Sequence, residues 1–275
     1  MRLLVLLLSA PLAALAAEPV CPAQSYKAAR FAPGETLGFK LDLLGADVGS
    51  FEITLEAPPA GDRPRVALVA KSRAHTSAFV STNVGMYQAF ATTLLGPDLA
   101  PLKYREEVDE GATHKAQEVD FPPLANGKLA VHATKNGEPD PFELLAGPSA
   151  RDILSTLYLL RAQPMAPGQP VCVEVFAGRK LWRLSGQVAA REMIDTPLGK
   201  FTTLRVDAVA VRTDDTNIKR GAHVWVTDDA RRLPLVAIGE VKGKTIRAQL
   251  VRANGVGILR QAKEDHRRVG NSIGR

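Results

Sequence analysis

The sequence predicts an all-β fold: a curved antiparallel sheet, or partly open β-barrel, with one amphipathic helix packed against its concave side. Three observations support this fold class. Apolar and polar residues alternate with a period of two along most of the chain, which is typical of half-buried strands. Gly, Pro, Asn and Asp separate these runs at short intervals, which favours antiparallel neighbours. One stretch in the middle of the chain has helical spacing instead.

Residues 1–17 are predicted to form a secretory signal peptide. Arg2 precedes an apolar run and an alanine-rich segment that ends at Ala16 and Ala17, which is the order of regions in a cleavable signal. The apolar stretch is shorter than the ~20 residues that a membrane-spanning helix needs. The sequence therefore predicts cleavage near Ala16 or Ala17, a periplasmic location and a mature chain without a transmembrane segment.

Residues 18–252 are predicted to form a single β-rich domain of about a dozen strands, because no internal repeat or Pro- and Ser-rich linker divides them. A first hairpin turns at Gly45, between alternating residues 35–44 and 51–55. The other predicted strands cover residues 65–74, 86–95, 102–108, 115–121, 128–134, 171–176, 181–189, 201–211, 222–227, 233–241 and 245–251.

The single predicted helix covers residues 149–161. Ser149 and Asp152 form a Ser-x-x-Asp capping box, whose side chains would satisfy free N–H groups of the first turn. Leu154, Leu157 and Tyr158 follow at helical spacing before a proline ends the run. In a β-rich chain such a helix covers one face of the sheet.

Two cysteines, Cys21 and Cys172, are predicted to form one disulfide. An exported chain without a C-x-x-C motif has a structural use for an isolated pair. The histidines show no ligand spacing with one another or with a cysteine, so we predict neither a metal site nor a cofactor. They are His75, His114, His132, His223 and His266.

The net charge of +6 is concentrated in part at the C-terminus. Residues 253–275 lose the period-two pattern and carry an excess of Arg and Lys, so we expect a flexible basic tail. Aromatic residues make up only 5% of the chain, which disfavours the base-stacking surfaces of nucleic-acid-binding proteins. No nucleic-acid partner is predicted.

Four acidic residues cluster at Glu106, Glu107, Asp109 and Glu110. Alternation along a strand places Glu107 and Asp109 on one face and the other two on the opposite face. Because Gly111 follows directly, the cluster is interpreted as the solvated end of a hairpin.

A charged turn lies between two of the predicted strands, after Trp225 and before Pro234. Asp228 or Asp229 can accept backbone N–H bonds there while pairing with Arg231 or Arg232. We therefore predict structural roles for Trp225, Asp228, Asp229, Arg232 and Pro234, with Trp225 packed near the Pro234 hairpin and a cost of ~3–5 kcal/mol for Trp225→Ala.

An enzymatic alternative uses His223 as a base beside Asp228 or Asp229. Five residues of extended strand separate His223 from Asp228 by ~17 Å. The sequence also lacks a nucleophile motif that the pair could activate. We therefore predict that these residues do not form an active site, and no catalytic residue is assigned.

Five segments occur in the order found in the bacterial domain of unknown function 3108. They lie at residues 31–37, 48–51, 152–161, 196–201 and 225–234, and the Trp-x-x-Asp-Asp-x-x-Arg-x-Pro run is the most specific. The chain resembles this family over roughly residues 31–250. The resemblance implies an exported, β-rich envelope protein of Gram-negative bacteria and supplies no catalytic residue.

These observations favour an exported binding or envelope-assembly protein. The concave face of its sheet would hold an apolar moiety, such as a lipid or acyl chain, because a curved sheet covered by one helix leaves an apolar mouth. Two alternatives stay open. One is a hydrolase or lyase of envelope polymers that uses His223 with Asp228 or Asp229, and the other is a scaffold that binds another envelope protein through an edge strand.

Overall fold

The structure is a computed structural model, and it describes residues 21–62, 65–241 and 243–255. These residues form one large sheet and two α-helices, α1 (Ala78–Asn83) and α2 (Ile153–Ala162). The strands are β1 (Thr36–Leu43), β2 (Ala46–Glu56), β3 (Leu68–Thr76), β4 (Tyr87–Leu95), β5 (Pro101–Glu110), β6 (Thr113–Asp120), β7 (Lys128–Lys135), β8 (Glu138–Pro139), β9 (Phe142–Leu145), β10 (Arg151–Asp152), β11 (Pro170–Ala177), β12 (Lys180–Thr196), β13 (Gly199–Arg212), β14 (Lys219–Thr227), β15 (Pro234–Val241) and β16 (Lys244–Asn254).

The sheet is a single open meander of 16 strands, which confirms the predicted fold class. β1 pairs with β16 as well as with β2, so the strands before and after α2 form one surface. Neighbours are antiparallel except for β10, which runs parallel to β11. The strand number exceeds the expected dozen because β8, β9 and β10 contain only two to four residues, too few to show a period of two.

Helix α2 begins later than the sequence predicts. The N-cap is Asp152, not Ser149, and its carboxylate accepts the backbone N–H groups of Leu154 and Ser155 at 2.8 and 3.1 Å. Ser155 completes the capping box by accepting the N–H of Asp152. The predicted start was wrong because two capping patterns overlap at Asp152. It is the last residue of the Ser-x-x-Asp pattern that starts at Ser149, and it is also the first residue of the Asp-x-x-Ser pattern that ends at Ser155. Helix α1 was not predicted, and its six residues include none that is buried.

The face of the sheet that contacts α2 is its concave face. In β1–β7 it carries core residues such as Leu37, Leu55 and Leu95, which form one cluster with Leu154 and Tyr158 of α2. The strands after α2 contribute Val171, Val188, Leu204 and Val206 to a second cluster, against Leu160 and Met165. Strands from both halves of one sheet can reach a single helix only on the inside of its curve.

Gly186 allows the close approach of β12 and β13. A Cβ atom at this position would lie 2.1 Å from the backbone oxygen of Asp207 and 2.8 Å from the Cβ of Ala208. Gly186 and Ala208 are register partners on the concave face. Any larger residue at position 186 would therefore force the two strands apart.

A buried ion pair joins α2 to the start of β1. Two guanidinium nitrogens of Arg161 donate to the carboxylate oxygens of Glu35 at 2.6 and 2.8 Å, and the two side chains are only 2% and 5% exposed. The Tyr158 hydroxyl donates to the same carboxylate at 3.1 Å, and the Arg161 guanidinium lies 5.0 Å from the ring centroid of Phe31. The pair fixes the last turn of α2 against β1.

Cys21 and Cys172 form the predicted disulfide, with their Cα atoms 5.2 Å apart. The bond joins the described N-terminus to β11 and indicates that the chain folds in an oxidising compartment outside the cytoplasm. The predicted signal peptide and residues 256–275 of the predicted tail lie outside the described residues. Strand β16 itself continues through Asn254, and Ala253 is buried, so the start of the predicted tail belongs to the sheet.

Candidate functional site

Beyond the packed core, the concave face is lined by small apolar residues. Ala237 pairs with Ala248 across β15 and β16, and Ala74 pairs with Ala89 across β3 and β4. Ala222 extends this set of alanines from β15 onto the neighbouring strand β14. We call these five half-buried residues the alanine surface.

The alanine surface is continuous across the middle of the sheet. Leu41 of β1 pairs with Ala248, and Phe51 of β2 pairs with Ala74. Leu41 and Phe51 are also half-buried. Methyl side chains at the interior positions of a strongly curved sheet leave space that larger side chains would fill. Together these residues form a continuous apolar strip on the curved face, at the end of the sheet where β1 ends and β4 begins, and we call this strip the trough.

A polar pair lies on the concave face next to this trough. Glu106 of β5 pairs with Gln117 of β6 and with Ala91 of β4. The Gln117 amide nitrogen donates to the Glu106 carboxylate. Burial raises the pKa of Glu106, against hydrogen bonds from Gln117 and Tyr104 that lower it. Burial likewise raises the pKa of the Tyr104 hydroxyl.

The polar pair borders a cavity of about 170 Å³ at the same end of the sheet. Tyr87, Glu110, Lys115 and Arg179 complete its polar lining. The position of Glu106 corrects one prediction, since it is not part of a solvated hairpin end. The hairpin turn at Gly111 does occur between β5 and β6, but the curve of the sheet turns Glu106 toward the interior.

An apolar cleft of about 640 Å³ lies at the opposite end of the strands. It is bordered by the chain before β1, by the end of β2 and the start of β3, and by the turn after β4. Among the described residues that line it, Lys27 is the only charged one; the rest are Ala28, Ala29, Phe31, Pro33, Ala57, Pro58, Val66, Ala67, Leu68 and Pro97.

His223 lies on the convex face, away from both aspartates of the enzymatic alternative. Its Nδ1 is 2.8 Å from Oδ1 of Asp207, its register partner on β13. Asp228 instead forms ion pairs with Arg191 at 2.7 Å and with Arg232 at 3.3 Å. The structure therefore gives His223 and Asp228 different partners.

The charged turn holds itself together through local bonds. The Asp229 carboxylate accepts the Arg231 backbone N–H at 2.8 Å and the Thr227 hydroxyl at 2.9 Å. The Arg231 contacts and the Thr227 hydrogen bond lower the pKa of Asp229 despite its partial burial. Arg232 donates to the backbone oxygen of Asp229 at 2.8 Å. These contacts are those of a rigid turn.

Trp225 lies on the face of β14 opposite to Val224 and Val226, next to the Pro234 hairpin, and it packs against the main core cluster. Its register partner on β15 is Val236, two residues beyond Pro234, and its indole nitrogen donates to Glu192. The ring is half-buried. A truncation therefore removes less buried surface than the sequence-based estimate assumed.

In the described parts of the chain, no group of three or more His, Cys, Asp or Glu side chains could hold a metal ion. The same residues contain no helix long and apolar enough to cross a membrane.

The family model for proteins of unknown function DUF3108 matches residues 36–251. The chain belongs to the DUF3108 family. The match covers all of the strands from β1 to β15 and most of β16, including the alanine surface and the polar pair. No curated protein sequence matches the chain.

Solved structures similar to this DUF3108 protein have unrelated sequences. A β-barrel-like protein of the domain of unknown function DUF1849 from Brucella abortus is 11% identical, with a TM-score of 0.52 over 84% of this chain and 98% of the other. An exported protein with a YmcC-like fold from Bacteroides fragilis, described as putative, is 9% identical, with a TM-score of 0.34 over 85% and 100% of the two chains. The first likeness shows that the β-barrel-like fold is shared.

Sequence reasoning missed two features of this DUF3108 protein. The polar pair was hidden because alternation assigns Glu106 to a face without telling which face is concave. The Glu35–Arg161 pair was hidden because one charge precedes a strand and the other ends a helix, more than a hundred residues later. The sequence contains a signal for each feature: Glu106 stands in a strand between Tyr104 and Val108, and Arg161 is the single charged residue within helix α2.

Proposed function

We propose that this protein is an exported periplasmic binding or envelope-assembly protein that holds an apolar moiety, such as a lipid or acyl chain, on the concave face of its sheet. The observation that carries the proposal is the alanine surface. Its five residues are only half-buried, although they belong to the face that elsewhere forms the fully buried core. Methyl groups on an open concave face are what an alkyl chain can cover, at a gain of ~0.8 kcal/mol per buried CH₂.

Exposed apolar side chains at the same end of the sheet support the proposal. Leu44, in the turn after β1, is 96% exposed, and Phe79 and Val84, in the connection from β3 to β4, are 72% and 81% exposed. Clustered apolar exposure of this kind marks interaction surfaces. An apolar rim beside the trough would keep an alkyl chain in apolar surroundings as it enters.

The geometry favours binding over the two alternatives. The hydrolase alternative needs His223 beside Asp228 or Asp229, and His223 contacts Asp207 on the convex face instead. The scaffold alternative needs a long free edge strand. In the described sheet the outermost strands are short: β10 and β8 have two residues each, and β9 has four.

The experiment is a fluorescence titration of the full mature protein with a dansyl-labelled fatty acid. A double variant, Ala237→Leu with Ala248→Leu, places two larger side chains across the trough. We expect it to bind the probe at least about tenfold more weakly than the parent, a difference of ~1.4 kcal/mol. The matched control is Ala130→Leu, because Ala130 is half-buried on the convex face of β7.

Thermal unfolding of each variant shows whether the fold is kept. The proposal is contradicted if the parent does not bind the probe, or if the folded double variant and the control bind it as tightly as the parent.

A further inference from the structure

We propose that the concave face binds an amphiphile with a primary amine headgroup, and that Glu106 and Gln117 receive this amine while the alanine surface receives the chain. The inference rests on the proposed function and specifies its ligand. Three observations lead to it: a carboxylate in the cavity without a cationic partner among the described residues, a buried acceptor without a hydrogen bond, and the distance from the polar pair to the alanine surface.

Glu106 is the acidic group of the cavity that lacks a cationic partner within the described chain. The two basic residues beside it are engaged by other carboxylates: Lys115 Nζ is 3.3 Å from Glu110, and Arg179 is 3.0 Å from Asp140. The hydrogen bonds to the Glu106 carboxylate come from the neutral side chains of Gln117 and Tyr104. Glu106 is half-buried; a partly desolvated carboxylate without a counter-charge is costly, and a cation in the cavity would relieve that cost.

Gln117 adds a second acceptor at the same place. Its side chain is 9% exposed, it lines the cavity, and its carbonyl oxygen is buried with no hydrogen-bond partner among the described residues. Buried polar atoms in folded proteins are almost always paired. The pair therefore offers two acceptors, one charged and one neutral, and it suits a headgroup that only donates. An ammonium group has three donors and no acceptor.

Along β4, the polar pair lies two residues farther from the end of the sheet where β4 begins than the alanine surface does. Glu106 is the register partner of Ala91, and Ala89 is two residues before Ala91 on the same face. Diagonal neighbours of this kind are ~7–8 Å apart. An amine at Glu106 would therefore leave its alkyl chain to run past Ala89 and along the trough toward the open end.

The test compares three ligands with one chain length: dodecylamine, dodecanol and dodecanoate, each titrated calorimetrically below its aggregation limit into the mature protein at neutral pH. We expect dodecylamine to bind at least about tenfold more tightly than dodecanoate. Glu106→Gln should remove this preference and leave dodecanol binding within about twofold of the parent. Glu107→Gln is the matched control, because Glu107 is exposed on the opposite face of β5, and it should leave the preference intact.

The outcomes separate the two proposals. If all three ligands bind the parent with equal affinity, or if Glu106→Gln and Glu107→Gln behave alike, the headgroup site is wrong while the apolar site stands. If none of the ligands binds the parent, the proposed function itself is wrong. Because Gln has nearly the shape of Glu, a thermal unfolding curve for Glu106→Gln verifies that a loss of preference is not a loss of fold.

Discussion

Breaking the buried Glu35–Arg161 pair should be one of the most damaging single changes in the protein. In Arg161→Met the Glu35 carboxylate, 5% exposed, would lose both guanidinium bonds and retain only the Tyr158 hydroxyl. Removing one partner of such a pair costs ~3–5 kcal/mol, because the other charge remains buried without compensation. Glu35→Met should cost a similar amount, because it would leave the buried Arg161 guanidinium without its counter-charge.

The double variant distinguishes this explanation from a simple loss of packing. With both charges replaced by methionine, no uncompensated charge remains. The free energy of unfolding of the double variant should therefore be only ~1–2 kcal/mol lower than that of the parent. The coupling between the two substitutions should thus be at least ~4 kcal/mol, because the single costs of ~3–5 kcal/mol each far exceed the double cost. Urea unfolding followed by tryptophan fluorescence measures each free energy of unfolding.

An exposed pair provides the control for this cycle. Lys71 and Glu56 are 2.7 Å apart, but their side chains are 47% and 48% exposed, so Lys71→Met should cost less than ~1 kcal/mol. Strictly additive costs for Arg161→Met and Glu35→Met would refute the reasoning, since they would mean that neither substitution leaves an unpaired buried charge.

Three further predictions concern stability. Cys172→Ser opens a loop of 151 residues and should lower the free energy of unfolding by up to ~5 kcal/mol; an unchanged urea midpoint would contradict the loop-entropy explanation. Trp225→Ala should cost ~2 kcal/mol, because the ring is only half-buried; a loss above ~4 kcal/mol in urea unfolding would show a core role. The pKa of Glu106 is raised in the folded state. Its favourable contribution to the free energy of unfolding is therefore present below the unfolded pKa of ~4.3 and is lost as pH rises through the folded pKa. Glu106→Gln should therefore melt above the parent near neutral pH and level with it near pH ~4, and a parallel shift at both pH values would be evidence against this sign.

The fold class could be predicted from the sequence because the period of two is a local property. Each long strand, such as β4 or β13, carries its own alternation, and antiparallel neighbours follow from short turns. Dependence on local patterns also explains which elements were missed or misplaced. Strands β8 and β10 have two residues each, and the N-cap of α2 was misplaced because two overlapping capping patterns share Asp152.

The candidate site could be predicted only in outline. A concave apolar face was expected, but its residues were not named, because alternation separates two faces without saying which one is concave. That distinction depends on long-range pairings such as β1 with β16. Glu106 illustrates the point, since its neighbours in the sequence include three more acids and its neighbours in space are Gln117 and Ala91.

The most direct measurement of the central claim is native mass spectrometry of the protein purified from its own cells, followed by extraction and identification of any bound molecule. We predict a mass above that of the disulfide-bonded mature chain, with an extractable amphiphile that is absent from the folded Ala237→Leu, Ala248→Leu double variant. A parent that carries only its own mass, or a double variant that carries the same molecule at the same occupancy, would contradict the claim that the alanine surface is a binding site for an apolar chain.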